Sequence, residues 1–245
     1  MILDGPCEWR PLAFSSDLLR ASVTLGSGQI SLEGRAIVVN AGGKAAGVFG
    51  WRPERVAPMS STQLRDVRID APPNLLLLAP STGMRATDIS GAPNWTQFRS
   101  GGHPVNLWSS SRDTIGDVLL DVGPLCEAGN GNAGAKPWWK RFRVTVNLWF
   151  APAGTNCLIH RDHSFIEIHS QIVGMGHMQK FRWQSDTSLY EDIALAPGAT
   201  TELPFCVLND EGIPAYPWHQ YFAESDCIWL AIEYHPLTEK NENAR

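Results

Sequence analysis

The chain has few charged residues of either sign, and it lacks any cluster of basic ones. Only 18% of its 245 residues are charged, and 25 aspartates and glutamates outnumber 20 lysines and arginines, so the net charge is -5. A surface that binds nucleic acid concentrates lysine and arginine on one face or along one stripe. We therefore expect no nucleic-acid partner.

Long apolar runs and paired cysteines are also missing. No apolar stretch approaches the roughly 20 residues that span a bilayer, so we expect no membrane segment. The first residues, MILDGPCEWRPL, carry acids where an export signal carries basic residues before an apolar run. The five cysteines are odd in number and include no CxxC pair, which is typical of free thiols in a reducing compartment. We expect a cytoplasmic protein without an export signal.

Signals for helices are few, and signals for strands dominate. Ser15, Ser16 and Asp17 could cap one short helix, and another could begin over residues 60–64. Elsewhere, short apolar or alternating runs are separated by Gly, Pro and Asn, as in β proteins. The predicted strands are residues 36–40, 75–79, 118–122, 144–150, 165–173, 177–183, 203–207 and 228–234. The sequence predicts a mostly β chain with a few flanking helices.

The chain is 43% hydrophobic, enough for a sizeable core, and all-β domains of this length are often single units. A loop over residues 126–137, rich in Gly, Asn and Ala, separates a less regular N-terminal half from a more regular C-terminal half. Neither half alone offers enough predicted strands to close a jelly roll. We therefore predict one domain over residues 1–245, with flanking strands and helices over about 1–140 and a core over about 141–237.

The predicted strand at residues 143–150 has one apolar and one polar face. Its sequence, RVTVNLWF, alternates almost strictly, so Thr145 and Asn147 lie on the face opposite Val144 and Val146. A strand of this kind suits a sandwich or barrel whose interior holds a ligand. Inward-facing Thr145 and Asn147 would suit a carboxylate, whereas outward-facing polar residues are at least as common.

Three residues have the chemistry of a metal site. On a strand, His160 and Asp162 would project to the same side, because they are two positions apart. His219, in the segment PAYPWHQ, lies directly before the apolar strand predicted at 228–234. Two histidines and one carboxylate, with the remaining positions open, bind iron in non-haem Fe(II) oxygenases. The three residues are candidate ligands of one divalent ion.

The C-terminal half resembles a known family. The motifs are LWFAPAGT at 148–155, His160-Arg-Asp162, SQIVG at 170–174, Pro197-Gly198 and IPAYPWHQ at 213–220, followed by an apolar strand. In this order they resemble the JmjC and cupin-like Fe(II)/2-oxoglutarate dioxygenases of the cupin superfamily. The likeness covers about residues 143–236.

The resemblance implies a cupin fold, that is, a double-stranded β-helix or jelly roll. It implies that His160, Asp162 and His219 hold Fe(II) as the catalytic centre and that 2-oxoglutarate and dioxygen react there. The substrate would be a small molecule or an amino acid, hydroxylated or otherwise oxidised. The sequence leaves open whether the enzyme acts as a homodimer.

One position departs from the family. Where the JmjC pattern has a lysine that binds the far carboxylate of 2-oxoglutarate, this chain has Gly176. Lys180 and Arg182 share the strand parity of that position, so either could substitute. His169, which shares a strand face with Glu167, could contact the cosubstrate or orient a metal ligand. A solvated pair of basic residues and an internally bonded histidine are the alternatives.

A second ligand set is also compatible with the sequence. Gly154, His160, His163, Glu167 and Gly174 approximate the general cupin pattern, in which several histidines and one glutamate bind the metal. The ligands would then be His160, His163, Glu167 and His219. Gly176 in place of the lysine favours another metal-dependent cupin enzyme, such as an isomerase, a lyase or a dioxygenase that needs no 2-oxoglutarate. A cupin that binds a ligand without chemistry is the third hypothesis.

Overall fold

The computed structural model describes residues 2–90, 92–126, 137–201 and 206–237. In these ranges almost all regular structure is antiparallel strand. The helical elements described are α1 (Ala86–Ser90) and two 3-10 turns, Gly123–Leu125 and Asp186–Ser188. The predicted mostly β class is confirmed. None of the helices described is long and apolar enough to cross a membrane.

The N-terminal half forms one eight-stranded antiparallel sheet. Its strands are β1 (Ile2–Asp4), β2 (Trp9–Pro11), β3 (Leu19–Thr24), β4 (Gly28–Asn40), β5 (Ala46–Phe49), β6 (Pro53–Val56), β7 (Ser60–Ala71) and β8 (Leu75–Pro80). The strand order is β2-β3-β8-β4-β7-β5-β6, and β1 pairs with β4.

Both helices predicted in this half are wrong. Ser60–Ala71 is strand β7, and the serines before Leu19 form a turn that leads into β3. In that turn the Ser16 hydroxyl accepts a hydrogen bond from the Leu19 amide, and the Ser15 hydroxyl accepts one from the Ala21 amide. Serine hydroxyls bond nearby amides in turns as readily as at helix starts, so the pattern did not distinguish the two.

The C-terminal half forms two further sheets. The larger sheet contains β9 (Trp95–Ser100), β10 (His103–Ser110), β11 (Asp113–Asp121), β12 (Trp139–Ala151), β14 (Ile166–Val173) and β20 (Cys227–Pro236). The smaller contains β13 (Thr155–Asn156), β15 (Gly176–Phe181), β16 (Leu189–Leu195) and β19 (Trp218–Ala223). The strand order is β14-β20-β12-β10-β9 in the larger sheet, with β11 also paired to β12, and β13-β19-β15-β16 in the smaller. A two-stranded ribbon, β17 (Val207–Leu208) with β18 (Pro214–Ala215), completes the set.

Seven of the eight predicted strands fall on observed ones. The strand predicted at 203–207 lies mostly outside the described residues, and only its last residue belongs to β17. The two C-terminal sheets enclose a cavity between them, as expected of a jelly roll of the cupin type.

Strand β12 contributes to both the main core and the cavity wall, to which it supplies Trp149. Its apolar face, with Val144, Val146, Leu148 and Phe150, is buried in a core that also contains Leu76 and Leu78 of β8. A second core on the other face of the N-terminal sheet contains the intervening residues of β8. The main core therefore contains residues of both halves. The single domain over residues 1–245, with its core over about 141–237, stays a prediction.

A histidine between two carboxylates adds a pH-dependent contribution to the stability of the smaller sheet. His177 Nδ1 is 2.6 Å from Asp192 Oδ1, and His177 Nε2 is 3.0 Å from Glu224 Oε2. Partial burial alone would lower the pKa of His177, but the hydrogen bonds and charges of Glu224 and Asp192 outweigh it and raise the pKa. The stabilisation is full below the unfolded-state pKa of about 6.5 and is lost as the pH rises through the raised folded-state value.

We expect His177→Gln to lower the free energy of unfolding by on the order of 1 kcal/mol at pH 5.5 and by clearly less at pH 8.5. Urea titrations at both values measure the difference. His103→Gln, at an exposed position of β10, is the control. Equal losses at the two pH values would contradict the assignment.

Candidate metal centre

The structure brings His160 and His219 together, although 58 residues separate them in sequence. Each backbone amide donates a hydrogen bond of 2.9 Å to the other residue's carbonyl, which forms an isolated antiparallel bridge. Directly paired residues on antiparallel strands point their side chains to the same face. The two ring centroids are 4.4 Å apart.

A third imidazole, that of His163, completes the group. Its Nε2 is 3.1 Å from Nε2 of His219, and ligand atoms of His160, His163 and His219 all lie within 4.8 Å of one another. Two nitrogens that bind one ion at about 2.1 Å lie about 3 Å apart when the angle at the ion is close to 90°. The His163–His219 spacing matches two ligands of one ion, and His160 lies close enough to be the third ligand after a small side-chain movement.

Hydrogen bonds to backbone carbonyls fix the orientation and the tautomer of two of the rings. Nδ1 of His160 is 2.9 Å from the Leu158 carbonyl, and Nδ1 of His219 is 2.9 Å from the Pro217 carbonyl. A carbonyl oxygen only accepts, so Nδ1 carries the proton and Nε2 keeps its lone pair. Leu158 has a positive φ of 67°, which is uncommon for a leucine, and this conformation sets the carbonyl behind His160.

The protonation states also suit metal binding. Burial, helped by the neighbouring His160, lowers the pKa of His219 to about 3. Burial likewise lowers the pKa of His163, against the opposing charge of Glu167. Both rings are therefore neutral near pH 7, which is the form that binds a metal.

A carboxylate stands beside the three histidines. One oxygen of Glu167 is 3.8 Å from Nε2 of His163, and the other is 3.2 Å from Nε2 of His169. Burial alone would raise the pKa of Glu167, but the charge and hydrogen bond of His169 outweigh it, and the pKa is lowered to about 2. Glu167 is therefore ionised and is the nearest candidate for a fourth ligand.

Tyr216 fixes the segment that carries these groups. Its hydroxyl donates to the Phe165 carbonyl at 2.9 Å and accepts from the Glu167 amide at 2.6 Å. Its ring lies 4.8 Å from that of His163. These contacts hold the start of β14, and with it His163 and Glu167, against the group.

Asp162 is not part of the group. It is exposed, and residues 161–163 belong to a loop rather than a strand. The strand parity that predicts His160 and Asp162 on one side does not apply there, because only His160 is paired. The structure thus brings together His160, His163 and His219, the three histidines of the second ligand set, and places Glu167 beside them.

The residues predicted to bind the cosubstrate are distributed differently. Lys180 lies directly opposite His219 in the sheet, but its ammonium group pairs with Glu191. Arg182 is exposed and lies over the ring of Tyr190. His169 lines the cavity beside Glu167.

Two further predicted residues have partners within the protein. The Thr145 hydroxyl is 3.3 Å from Glu233 and 3.2 Å from His235. Asn147 is buried, and its amide donates a hydrogen bond to the Leu148 carbonyl at 3.4 Å. Neither residue lines the cavity at the histidine group.

The structure explains why Gly176 stands where the JmjC pattern has a lysine. A Cβ atom at this position would overlap the phenol of Tyr221. The Tyr221 hydroxyl donates a hydrogen bond to the buried side chain of Gln171. Tyr221 and Gln171 thus fill the space that a lysine side chain would enter.

We expect Gly176→Ala to lower the free energy of unfolding by about 1–3 kcal/mol, because it overpacks a buried contact. Urea unfolding measures the loss. Gly26→Ala is the control, since a Cβ there meets nothing within 4 Å, and it is expected to change stability by less than about 0.5 kcal/mol. Similar effects of the two substitutions would contradict the packing argument.

The three histidines open into a cavity of about 390 Å³. Aromatic rings line it in an unbroken series. The ring of Phe98 packs edge-on against that of Trp149, with the ring centroids 5.7 Å apart. The rings of Trp149 and Trp229 are nearly parallel with centroids 6.5 Å apart, and those of Trp229 and Tyr221 stack with centroids 3.8 Å apart. The volume and the apolar walls suit a small molecule.

An ion pair that no motif of the sequence indicates lies in the same cavity wall. Arg112, between β10 and β11, donates a hydrogen bond of 2.6 Å to the buried carboxylate of Glu233. Glu233 also contacts His235 at 2.8 Å. Arg112 comes from the irregular N-terminal half, and no spacing in the sequence relates it to the histidines.

Comparisons with known proteins give only distant likenesses. No family model matches the sequence, and neither does any curated protein. Among solved structures, a cupin 2 conserved barrel domain protein from Leptotrichia buccalis is 12% identical, with a TM-score of 0.30 over 94% of this chain and 89% of that one. An oxalate decarboxylase mutant from Bacillus subtilis is 11% identical, with a TM-score of 0.31 over 91% and 72%.

Ectoine synthase from P. lautus is 16% identical, with a TM-score of 0.32 over 63% of this chain and 78% of that one. At these values the likenesses carry no argument about activity. The fold and the candidate metal centre therefore stand on the strands and side chains of this chain alone.

Proposed function

We propose that this chain is a metal-dependent enzyme that converts a small molecule at one divalent ion held by His160, His163 and His219. The observation that carries the proposal is the convergence of three imidazoles, two of them with Nδ1 bonded to a carbonyl, at the wall of a cavity. Three protein donors leave coordination positions open, and open positions distinguish catalytic from structural sites.

Imidazole and carboxylate donors suit Fe(II), and we propose Fe(II) with dioxygen as the chemistry of this site. The bound metal would supply redox or Lewis-acid activation of the substrate. The protein would hold the ion, with Glu167 ionised beside it, and its aromatic walls would orient the substrate and exclude water.

Metal analysis tests the proposal. Protein purified without chelator, or stripped with EDTA and reloaded anaerobically with Fe(II), is expected to hold one equivalent of iron and to unfold at a higher temperature than the stripped protein. Less than a tenth of an equivalent of any divalent metal under both conditions would contradict the proposal. It would then favour a cupin that binds a ligand without chemistry.

A 2-oxoglutarate-dependent oxygenase is the second candidate. Asp162 is close enough for its charge to raise the pKa of His163, so this carboxylate lies near the histidines without touching them. Anaerobic addition of 2-oxoglutarate to the Fe(II)-loaded protein tests this candidate. A weak visible charge-transfer band, followed by succinate release in air, is the expected result for it. Iron binding without either signal would favour a metal-dependent enzyme that needs no 2-oxoglutarate.

A further inference from the structure

The wall of the histidine cavity holds one arginine whose hydrogen-bonding capacity is mostly unused. Arg112 contacts Glu233 through one terminal nitrogen, and 57% of its side chain is exposed. A guanidinium has five N–H donors. The remaining donors of Arg112 are therefore available to a ligand in the cavity.

Arg112 is held in place by a carboxylate that has other partners. Glu233 is 3% exposed, and its second oxygen is 2.8 Å from Nε2 of His235 and 3.3 Å from the Thr145 hydroxyl. A buried carboxylate with three partners keeps a fixed geometry. Glu233 therefore orients the guanidinium through one terminal nitrogen and leaves its other donors to a ligand.

The arginine and the histidine group line the same cavity. Phe165 stands between them, with its ring 5.2 Å from that of His163 and 4.7 Å from that of His235. His235 in turn contacts Glu233, the partner of Arg112. One small molecule can thus reach the metal with one end and Arg112 with the other, along an aromatic wall.

A bound metal makes the cavity more attractive to an anion. The charge of Arg112 is already balanced by its partner Glu233, and a divalent ion at the histidines adds two positive charges. An anionic ligand is therefore attracted more strongly by the metal-loaded cavity than by the metal-free one.

We propose that the substrate is a small organic anion with a flat, apolar body, and that Arg112 binds its carboxylate or a chemically equivalent group. This inference rests on the proposed function, because it places the reacting part of the substrate at the metal. Planar bidentate recognition of carboxylates is the chemistry for which arginine is suited and lysine is not.

Benzoate and benzamide form a matched pair of probes, since they share shape and differ in charge. Calorimetric titrations into Co(II)-loaded protein measure both affinities. Benzoate is expected to bind at least about tenfold more tightly than benzamide, and Arg112→Gln is expected to abolish this preference. Arg112→Lys is expected to keep only part of it. Removing the metal is expected to weaken benzoate binding.

The control is Arg143→Gln. Arg143 makes a similar ion pair with Asp117, at 3.0 Å, outside the cavity, so its loss is expected to leave the benzoate preference unchanged. The absorption spectrum of bound Co(II) is expected to be the same in all arginine variants without probe, because none of these residues is a ligand.

Two failures are distinguishable. Absence of Co(II) binding in the wild-type protein would contradict the proposed metal centre. Normal Co(II) binding without a preference for benzoate, whether through equal affinities or through no binding of either probe, would overturn the role of Arg112 alone. A preference that survives in Arg112→Gln would also overturn it, since the metal itself would then bind the carboxylate.

Discussion

Replacing His219 by alanine is expected to lower the affinity for Fe(II) or Co(II) at least about 100-fold. Loss of residues that merely orient metal ligands already costs about 10–100-fold, and His219 offers a ligand atom close to those of both other histidines. Equilibrium dialysis against Co(II), with the bound ion measured by elemental analysis, gives the affinity.

His219 is almost fully buried, so its loss could also disturb folding. His160→Ala is the companion variant, because His160 is partly exposed, and it is expected to lower metal affinity while leaving the circular dichroism spectrum and the unfolding temperature of the metal-free protein nearly unchanged. His103→Ala, in an exposed position away from the cavity, is expected to bind metal like the wild type. An unaltered metal affinity in His160→Ala would refute the site.

A comparison of Glu167→Gln with Asp162→Asn distinguishes the two ligand sets. Glu167 is buried within 3.8 Å of a ligand nitrogen, and Asp162 is exposed in a loop. We expect Glu167→Gln to lower the affinity for Co(II) at least about tenfold. Asp162→Asn is expected to change it less than about threefold, since a screened surface charge contributes little.

Both substitutions remove one charge and keep the shape of the side chain, so each is the control of the other. The opposite ranking, with a large loss for Asp162→Asn alone, would support two histidines and one aspartate as ligands. That result would also favour 2-oxoglutarate as the cosubstrate, bound through its far carboxylate by a residue other than Lys180 or Arg182.

The sequence predicts much of the C-terminal half, because its strands alternate regularly or are continuously apolar. It predicts the N-terminal sheet less well, and β4 shows why. The pairing of β4 with β7 shifts between Leu32 and Arg35, where the strand is irregular. Before this point β4 is buried on one face only, with Ile30 and Leu32, whereas residues 36–39 after it are buried on both faces. The first part therefore alternates and the second is continuously apolar, so one 13-residue strand looks like two unrelated pieces.

In the candidate site, the order of the motifs along the chain predicts that His160 and His219 lie together. The carboxylate beside them is Glu167 and not the predicted Asp162, because residues 161–163 form a loop in which strand parity does not apply. Lys180 illustrates a different limit. Its side chain starts on the expected strand opposite His219, but Glu191 on the next strand binds its ammonium group. Such partners depend on sheet order, which alternation alone does not reveal. The cytoplasmic location and the absence of a nucleic-acid partner stay predictions.

Strand β12 connects the main core with the wall of the histidine cavity. Trp149 on one side of this strand forms part of the aromatic wall, and Leu148 on the other side packs in the core shared with β8. A change of side-chain volume at Leu148 would therefore shift Trp149 and the cavity wall through the backbone that the two residues share. Substrate preference could be altered in this protein, by evolution or by design, through residues that never meet the substrate.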